Sequence, residues 1–103
     1  MKEEYINIPL IKNDQLNRFE IQIGTYQAFI AYKERPGKIW LIHTESSPQL
    51  AGQGAATAVI EKTLQYLEDN NYKLFPLCPL VFAYIEKHPE WKRIVDSSFD
   101  GFE

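Results

Sequence analysis

Two glycines, Gly52 and Gly54, stand where a strand-like pattern gives way to a helix-like one. The first turn of a helix has backbone N–H groups without partners and a partial positive charge, so it attracts anions. Because glycine lacks a β-carbon, a phosphate can come directly against such a backbone. The pair therefore predicts either a phosphate site or a turn that uses its glycines for conformation alone.

Two widespread phosphate-binding motifs do not fit this turn. The P-loop requires Lys and then Ser or Thr after its last glycine, whereas Gly54 is followed by Ala55 and Ala56. The dinucleotide fingerprint requires a third glycine at the position that Thr57 occupies. Any phosphate site here has to be of another type.

Four further side chains could take part in chemistry. Cys78 precedes Pro79 at the expected start of a helix, where the helix dipole makes a thiolate more available, although a lone cysteine also serves as a small buried apolar residue. His43 and Glu45 alternate along a predicted strand and so share one face. Either could accept a proton from an amine, or be hydrogen-bonded without further function. Tyr84 lies within a predicted buried helix, where its hydroxyl could donate to a ligand or to a neighbour.

The first half of the chain has the period of β-strands. Apolar and polar residues alternate in RFEIQIG (18–24), and short turns separate it from TYQAFIAYKE (25–34) and IWLIHTE (39–45). Three strands joined in this way predict an antiparallel meander. The segment YINIPLI (5–11) predicts a further strand at an edge, because Pro9 has no backbone N–H to donate in a central one.

The second half has the period of helices. Apolar residues at helical spacing predict a helix from Ala56 to Leu67, with Asn70 and Asn71 as left-handed terminators. A short buried strand is expected in YKLFPLC (72–78).

Three prolines shape the remainder. Pro76 leaves the short strand with incomplete pairing, Pro79 begins a mostly buried helix over 79–88, and Pro89 separates it from a last short helix within 89–99. The expected fold is α/β in the α+β sense, with a mainly antiparallel mixed sheet and two principal helices, in a single domain over 1–103.

Composition excludes several functions. The formal net charge is −3 and no run of basic residues exists, which argues against nucleic acid as a partner. No apolar segment is long enough for a membrane span, and residues 43, 78 and 88 do not have metal-ligand spacing. The one cysteine and the lack of a signal-peptide pattern indicate a reducing cytoplasm, with a monomer or weak dimer expected.

The pattern Gln49-x-x-Gly52-x-Gly54, between a strand and an amphipathic helix, resembles motif A of the GNAT acetyltransferase superfamily. In that superfamily the backbone amides of the motif hold the pyrophosphate of acetyl-coenzyme A. With HTE before the glycines and PLCP and AYIEKHPEW after the helix, the sequence over 18–95 is similar to the small single-domain GNAT-like proteins. Ala51 departs from the arginine that many relatives carry.

The resemblance implies roles for individual residues. The amides of Gln53, Gly54, Ala55 and Ala56 would hold the pyrophosphate, and the strands around IWLIHTE and YKLFPLC would splay to admit the pantetheine arm. The acceptor would be a small-molecule or peptide amine.

The same resemblance implies the catalytic candidates. Cys78 would carry the acetyl group covalently or line its pocket, Tyr84 would donate to the sulfur of coenzyme A, and His43 or Glu45 would act as base. The alternatives are a non-catalytic coenzyme A-binding or protein-interaction module and a fold that uses the glycine turn only structurally.

Overall fold

Residues 1–102 are described by a computed structural model. The strands are β1 (Ile11–Asn13), β2 (Arg18–Ile23), β3 (Tyr26–Arg35), β4 (Lys38–Ser46) and β5 (Lys73–Pro76). The α-helices are α1 (Glu3–Ile6), α2 (Ala55–Asp69) and α3 (Pro79–Lys87), and 3₁₀ helices span Pro48–Leu50 and Pro89–Ile94.

The strands form one open sheet in the order β1-β2-β3-β4-β5. The pairs β1–β2, β2–β3 and β3–β4 are antiparallel, as the alternating pattern and short turns predict. The pair β4–β5 is parallel. The parallel pair is connected through α2, the helical crossover that such a pair needs. The predicted mixed, mainly antiparallel α/β fold is therefore confirmed.

Helices α2 and α3 begin and end within two residues of the predicted positions. Gly54 caps α2 with φ of 79°, and Asn71 takes the left-handed φ of 61° just after its end, whereas Asn70 stays right-handed with φ of −105°. Pro79 is the first residue of α3, a position where its missing N–H costs no hydrogen bond.

Two predicted segments at the ends of the chain differ from the structure. The expected edge strand over 5–11 is wrong: α1 forms one helical turn, and the edge strand β1 begins only at Ile11. The helical turn buries Tyr5, which is 1% exposed and packs into the core. The expected last helix is shorter than 89–99 and of the 3₁₀ type, because after Ile94 the chain bridges to β5, with Asp96 N–H donating to the Leu74 carbonyl at 2.9 Å.

The two faces of the sheet have different surroundings. Side chains from α2 and α3 pack with Phe19, Ile21 and Ile30 of the sheet in one hydrophobic core. The half-buried aromatic residues Phe29 and Trp40 alternate with these core positions and lie outside that cluster, on the face that no helix among residues 1–102 covers. We call it the uncovered face. Within residues 1–102 no helix is long and apolar enough to cross a bilayer.

Candidate active site

Strands β4 and β5 pair over only part of β4. Their register runs from Lys38 opposite Lys73 to Leu41 opposite Pro76, and the Cys78 N–H then donates to the Leu41 carbonyl at 2.8 Å. Beyond that bond, β4 continues to Ser46 paired with β3 alone within the described chain. The parallel pair therefore opens where Pro76, which has no N–H, ends the ladder.

A β-bulge in β4 contributes to this opening. Ala31 faces His43 and Tyr32 faces Leu41, so Ile42 has no partner on β3. Before the bulge the odd-numbered residues Ile39 and Leu41 face the core, and after it the even-numbered Thr44 does. His43 is therefore exposed. Sequence patterning did not find the bulge, because the four consecutive apolar residues from Ile39 to Ile42 already hide the alternation before this point.

Cys78 and Thr44 lie together at the base of the opening. The Cys78 sulfur is 3.1 Å from the Thr44 hydroxyl, and the two residues are 1% and 6% exposed. Cys78 is the N-cap residue of α3, as predicted, although its side chain makes no capping hydrogen bond. Thr44 was not singled out from the sequence, because nothing in its local pattern separates it from other strand threonines.

His43 and Glu45 share one face of β4, as their spacing predicts, and in the structure it is the uncovered face. Both side chains are 60% exposed, and His43 Nε2 is 3.5 Å from a Glu45 carboxylate oxygen. Their neighbours on β3, Ala31 and Phe29, belong to the same face. Cys78 lies on the core side instead, so the structure does not bring the cysteine and this pair together.

The glycine turn connects β4 to α2 through the first 3₁₀ helix. Gly52 and Gly54 have φ of 74° and 79°, and a β-carbon added at either would have no atom within 4 Å. The space in front of both residues is therefore open, while their backbone conformation favours glycine.

The donors at this turn are partly in use. Gln53 N–H, one of the amides expected to hold a phosphate, already donates to the Leu50 carbonyl at 3.1 Å. Within residues 1–102, the N–H groups of Gly54, Ala55 and Ala56 make no backbone hydrogen bond. Three consecutive donors at the start of a 15-residue helix thus remain available to an anion.

The N-terminal segment forms hydrogen bonds with the glycine turn and with α2. The Tyr5 hydroxyl donates to the Gln53 carbonyl at 3.0 Å, and Lys62 Nζ donates to the Ile6 carbonyl at 3.2 Å. The Gln53 side chain in turn donates to the Gln49 carbonyl at 3.1 Å. Sequence reasoning missed Tyr5 because this contact joins residues 48 positions apart.

A groove between α2 and α3 extends from the glycine turn. It encloses about 350 Å³, and its wall includes small or apolar side chains from both helices, namely Ala56, Thr57, Ile60, Leu80 and Ala83. Tyr84 lies in the same groove, with its ring 4.3 Å from the His88 ring. Burial raises the pKa of Tyr84 well above that of an exposed phenol, and a hydrogen bond with the Glu61 carboxylate raises it further.

Exposed apolar side chains surround the opening between β4 and β5. Ile42, Leu77 and Leu80 are 44%, 53% and 51% exposed. Large aliphatic groups with this exposure, close to a strand opening, favour contact with an apolar part of a ligand. The described residues contain no group of three or more His, Cys, Asp or Glu arranged to hold a metal ion.

Comparisons with known proteins place this arrangement in a family context. The model of the family described as GCN5-related N-acetyl-transferase matches residues 18–94. The fold is similar to the NMR solution structure of a GCN5-like candidate N-acetyltransferase from Staphylococcus aureus, with a TM-score of 0.62 and 21% identity. The match covers 88% of this chain and 90% of that one. No curated protein matches the sequence significantly.

Proposed function

The chain belongs to the GCN5-related N-acetyltransferase family, and we propose that it transfers an acetyl group from acetyl-coenzyme A to an amine. Its general activity is that of an acetyltransferase. The observation that carries the finer proposal is the set of free N–H groups at the start of α2, directly at one end of the groove between α2 and α3.

The glycine turn fits the pyrophosphate of the coenzyme. The N–H groups of Gly54, Ala55 and Ala56 would bind it, and the open space at Gly54 leaves room for it. Because Ala51 offers no charged side chain, binding at this point depends on backbone donors and the helix dipole.

The strand opening fits the pantetheine arm. Such an arm carries amide groups that can bond to the unpaired edge of β4 between Ile42 and Ser46. Its apolar portions would contact Leu77 and Leu80, which are otherwise exposed. The end of β4–β5 pairing at Pro76 supports the expected splaying of these two strands.

When bound, acetyl-coenzyme A supplies an activated acetyl group as a thioester, which an uncharged amine can attack. His43 or Glu45 would take the proton that the amine nitrogen releases. Tyr84, a phenol that is protonated at neutral pH and lies in the groove between α2 and α3, would be the proton donor to the departing sulfur.

For Cys78 we favour a role as wall of the acetyl pocket over covalent transfer. Its sulfur is buried and lies 3.1 Å from the Thr44 hydroxyl. A cysteine this buried is typically inert as a nucleophile, whereas its sulfur can still line a pocket. Direct transfer requires no attack by this sulfur.

The test is the release of free thiol from acetyl-coenzyme A with and without a panel of amines. Acetyl transfer predicts a release rate that rises with amine concentration, together with an acetylated product seen by mass spectrometry. Binding of the coenzyme without amine-dependent release would support the non-catalytic module instead. A chain that neither binds acetyl-coenzyme A nor releases thiol would contradict the proposal.

The role of Cys78 is tested separately with Cys78→Ala. A pocket wall predicts that this variant keeps turnover within about tenfold, since no bond to sulfur is needed, and that labelled acetyl-coenzyme A leaves no label on wild-type Cys78 after denaturation. Loss of turnover in a folded Cys78→Ala protein, with a trapped label on the wild type, would establish covalent transfer.

A further inference from the structure

The uncovered face has a charge opposite to that of the whole chain. Its strands carry five basic residues and two carboxylates by alternation and register, and the Asp96 carboxylate lies 3.6 Å from Lys38 Nζ, which gives a formal charge of +2 in a chain of −3. The strand residues are Arg18, Lys33, Arg35, Lys38, Lys73, Glu20 and Glu45. A face of one sign on a molecule of the other steers partners of the complementary charge. The positive charge therefore marks one side of the molecule for anionic partners.

Four of these cations form a cluster at the end of the face remote from the glycine turn. Arg35 pairs in register with Lys38, Lys38 with Lys73, and Lys33 with Trp40 on the adjacent strand. We call Lys33, Arg35, Lys38 and Lys73 the basic cluster; all four are exposed. Within residues 1–102, Lys38 alone of the four has a carboxylate within 4 Å, that of Asp96 at 3.6 Å.

Two aromatic side chains lie between the basic cluster and the His43–Glu45 pair. The rings of Trp40 and Phe75 are stacked with centroids 4.5 Å apart, and Lys38 Nζ is 5.8 Å from the Phe75 centroid. Both aromatic residues are half-buried and outside the main core. They offer an apolar surface of the kind that binding sites use for contact area.

Distances along β4 set the size of a molecule that could use both ends of this face. Trp40 and Lys38 precede His43 by three and five residues, which at about 3.3 Å per residue is roughly 10 and 17 Å, the bulge shortening both. An extended peptide spans the same distances with three to five residues. An amine held at His43 would thus lie within one short peptide segment of the basic cluster.

We propose that the acetyl acceptor is the N-terminal α-amino group of an acidic peptide or protein. Its amine would lie beside His43 and Glu45, and carboxylates at about its third to fifth residues would contact the basic cluster. The proposal rests on the acetyl transfer proposed above, and it adds the class of acceptor.

Two physical arguments favour this occupant over others. An α-amino group has a pKa near 8, whereas a lysine side chain has one near 10.4, so the uncharged form that attacks a thioester is far more abundant for the α-amine at neutral pH. A second copy of this chain packed through the same face would bring one basic cluster against another, which like charges oppose.

The test measures binding of fluorescent peptides by anisotropy in the presence of coenzyme A. The probe is a ten-residue peptide with a free N-terminus, a C-terminal dye and Glu at positions three to five, compared with peptides that carry Gln or Lys there. The acidic peptide is expected to bind at least tenfold more tightly than the Gln peptide and to weaken with added salt. Lys33→Glu should abolish this preference, while the matched variant Lys92→Glu, exposed on the C-terminal 3₁₀ helix, should retain it.

Several results would overturn the inference. They are equal binding of the three peptides, an unchanged preference in Lys33→Glu, or tighter binding of a single-stranded oligonucleotide of matched charge. If the Gln peptide is acetylated as fast as the acidic one, the acceptor class is wrong while acetyl transfer stands. If the acidic peptide binds selectively but acetyl-coenzyme A neither binds nor reacts, the acetyl transfer is wrong while the anionic site stands.

Discussion

The two halves of β4 differ in what lies beside them. From Lys38 to Leu41 the strand pairs with β3 on one edge and β5 on the other, whereas from Ile42 to Ser46 it pairs with β3 alone within the described residues. We call these halves the closed half and the open half. In the closed half, Ile39 and Leu41 are wholly buried, while the open half carries the residues with candidate chemical roles.

Polar groups show the same contrast. Beside the closed half, Lys12 Nζ bonds to Asp14 at 2.6 Å and Glu34 at 2.7 Å, and the Tyr72 hydroxyl donates to Glu34 at 2.6 Å. Hydrogen bonding to Glu34, together with burial, raises the pKa of Tyr72 to about 12. Beside the open half, the first N–H groups of α2 make no backbone hydrogen bond to any residue among 1–102.

This difference shows where the fold leaves backbone groups to a ligand. A proline and a bulge end the β4–β5 ladder within a few residues of each other, and glycines expose the start of α2. Each feature alone is ordinary turn or strand chemistry. Their proximity to one another along β4 and the start of α2 favours the interpretation as a candidate ligand site.

The largest expected effect comes from breaking the closed half. Leu74 in β5 is 0% exposed, so Leu74→Ala should destabilise the protein by about 2 to 5 kcal/mol through lost contacts and a cavity. For a domain of this size that lowers the melting temperature by roughly ten degrees or more. Affinity for acetyl-coenzyme A, measured below the melting range, should change little.

Leu77→Ala is the matched control, since Leu77 is 53% exposed. It should alter the free energy of unfolding by less than about 0.5 kcal/mol. It should nevertheless weaken the binding of acetyl-coenzyme A. Reversal of these two outcomes would show that the closed and open halves have been wrongly distinguished.

The second effect concerns the glycine turn. Gly54→Val and Gly37→Val both place a branched residue at positive φ, 79° and 74°, and should each cost about 1 to 2 kcal/mol or more in stability. At a hundred times the dissociation constant, acetyl-coenzyme A should stabilise the wild type by about 2.7 kcal/mol, a rise of roughly ten to twenty degrees. Gly37→Val should keep that rise and Gly54→Val should lose it, because only Gly54 adjoins the free N–H groups. Equal rises in melting temperature for both variants would show that the phosphate does not bind at this turn.

The smallest effect tests the polar network beside the closed half. Hydrogen bonds from Lys12 and Tyr72 hold the pKa of Glu34 below its ordinary value, so Glu34 stabilises the fold above the usual glutamate range and loses this contribution as the pH falls through its lowered pKa. Glu34→Gln should therefore lower stability by about 1 kcal/mol at pH 7, with the difference from wild type vanishing in acid. Melting curves against pH measure this, with the exposed Glu86→Gln as control. If Glu34→Gln remains less stable than the wild type by the same amount at low pH, the lost stability does not come from the charge of Glu34.

Local patterns predicted the elements whose burial is periodic. The meander, α2, β5 and α3 follow from alternation, helical spacing and the positions of Pro76 and Pro79. The mistaken strand at 5–11 came from an alternating apolar pattern that a helical turn satisfies equally well, once Tyr5 is buried under a turn distant in sequence.

The candidate site was partly predictable for the same reason. The residues at the glycine turn, His43, Glu45, Cys78 and Tyr84 were singled out by type and position. Thr44, the bulge at Ile42 and the Tyr5 contact depend on which strands lie side by side, and short-range sequence does not contain that information. The role of each site residue stays a prediction until tested.

Amide NMR on the labelled protein tests the central claim most directly, because it observes the proposed donors themselves. During titration with acetyl-coenzyme A, the largest shift changes should fall on the N–H groups of Gly54, Ala55 and Ala56 and along Ile42–Ser46, while Glu34 and Tyr72 should stay nearly unchanged. Changes confined to the closed half, or no changes at saturating acetyl-coenzyme A, would contradict the account.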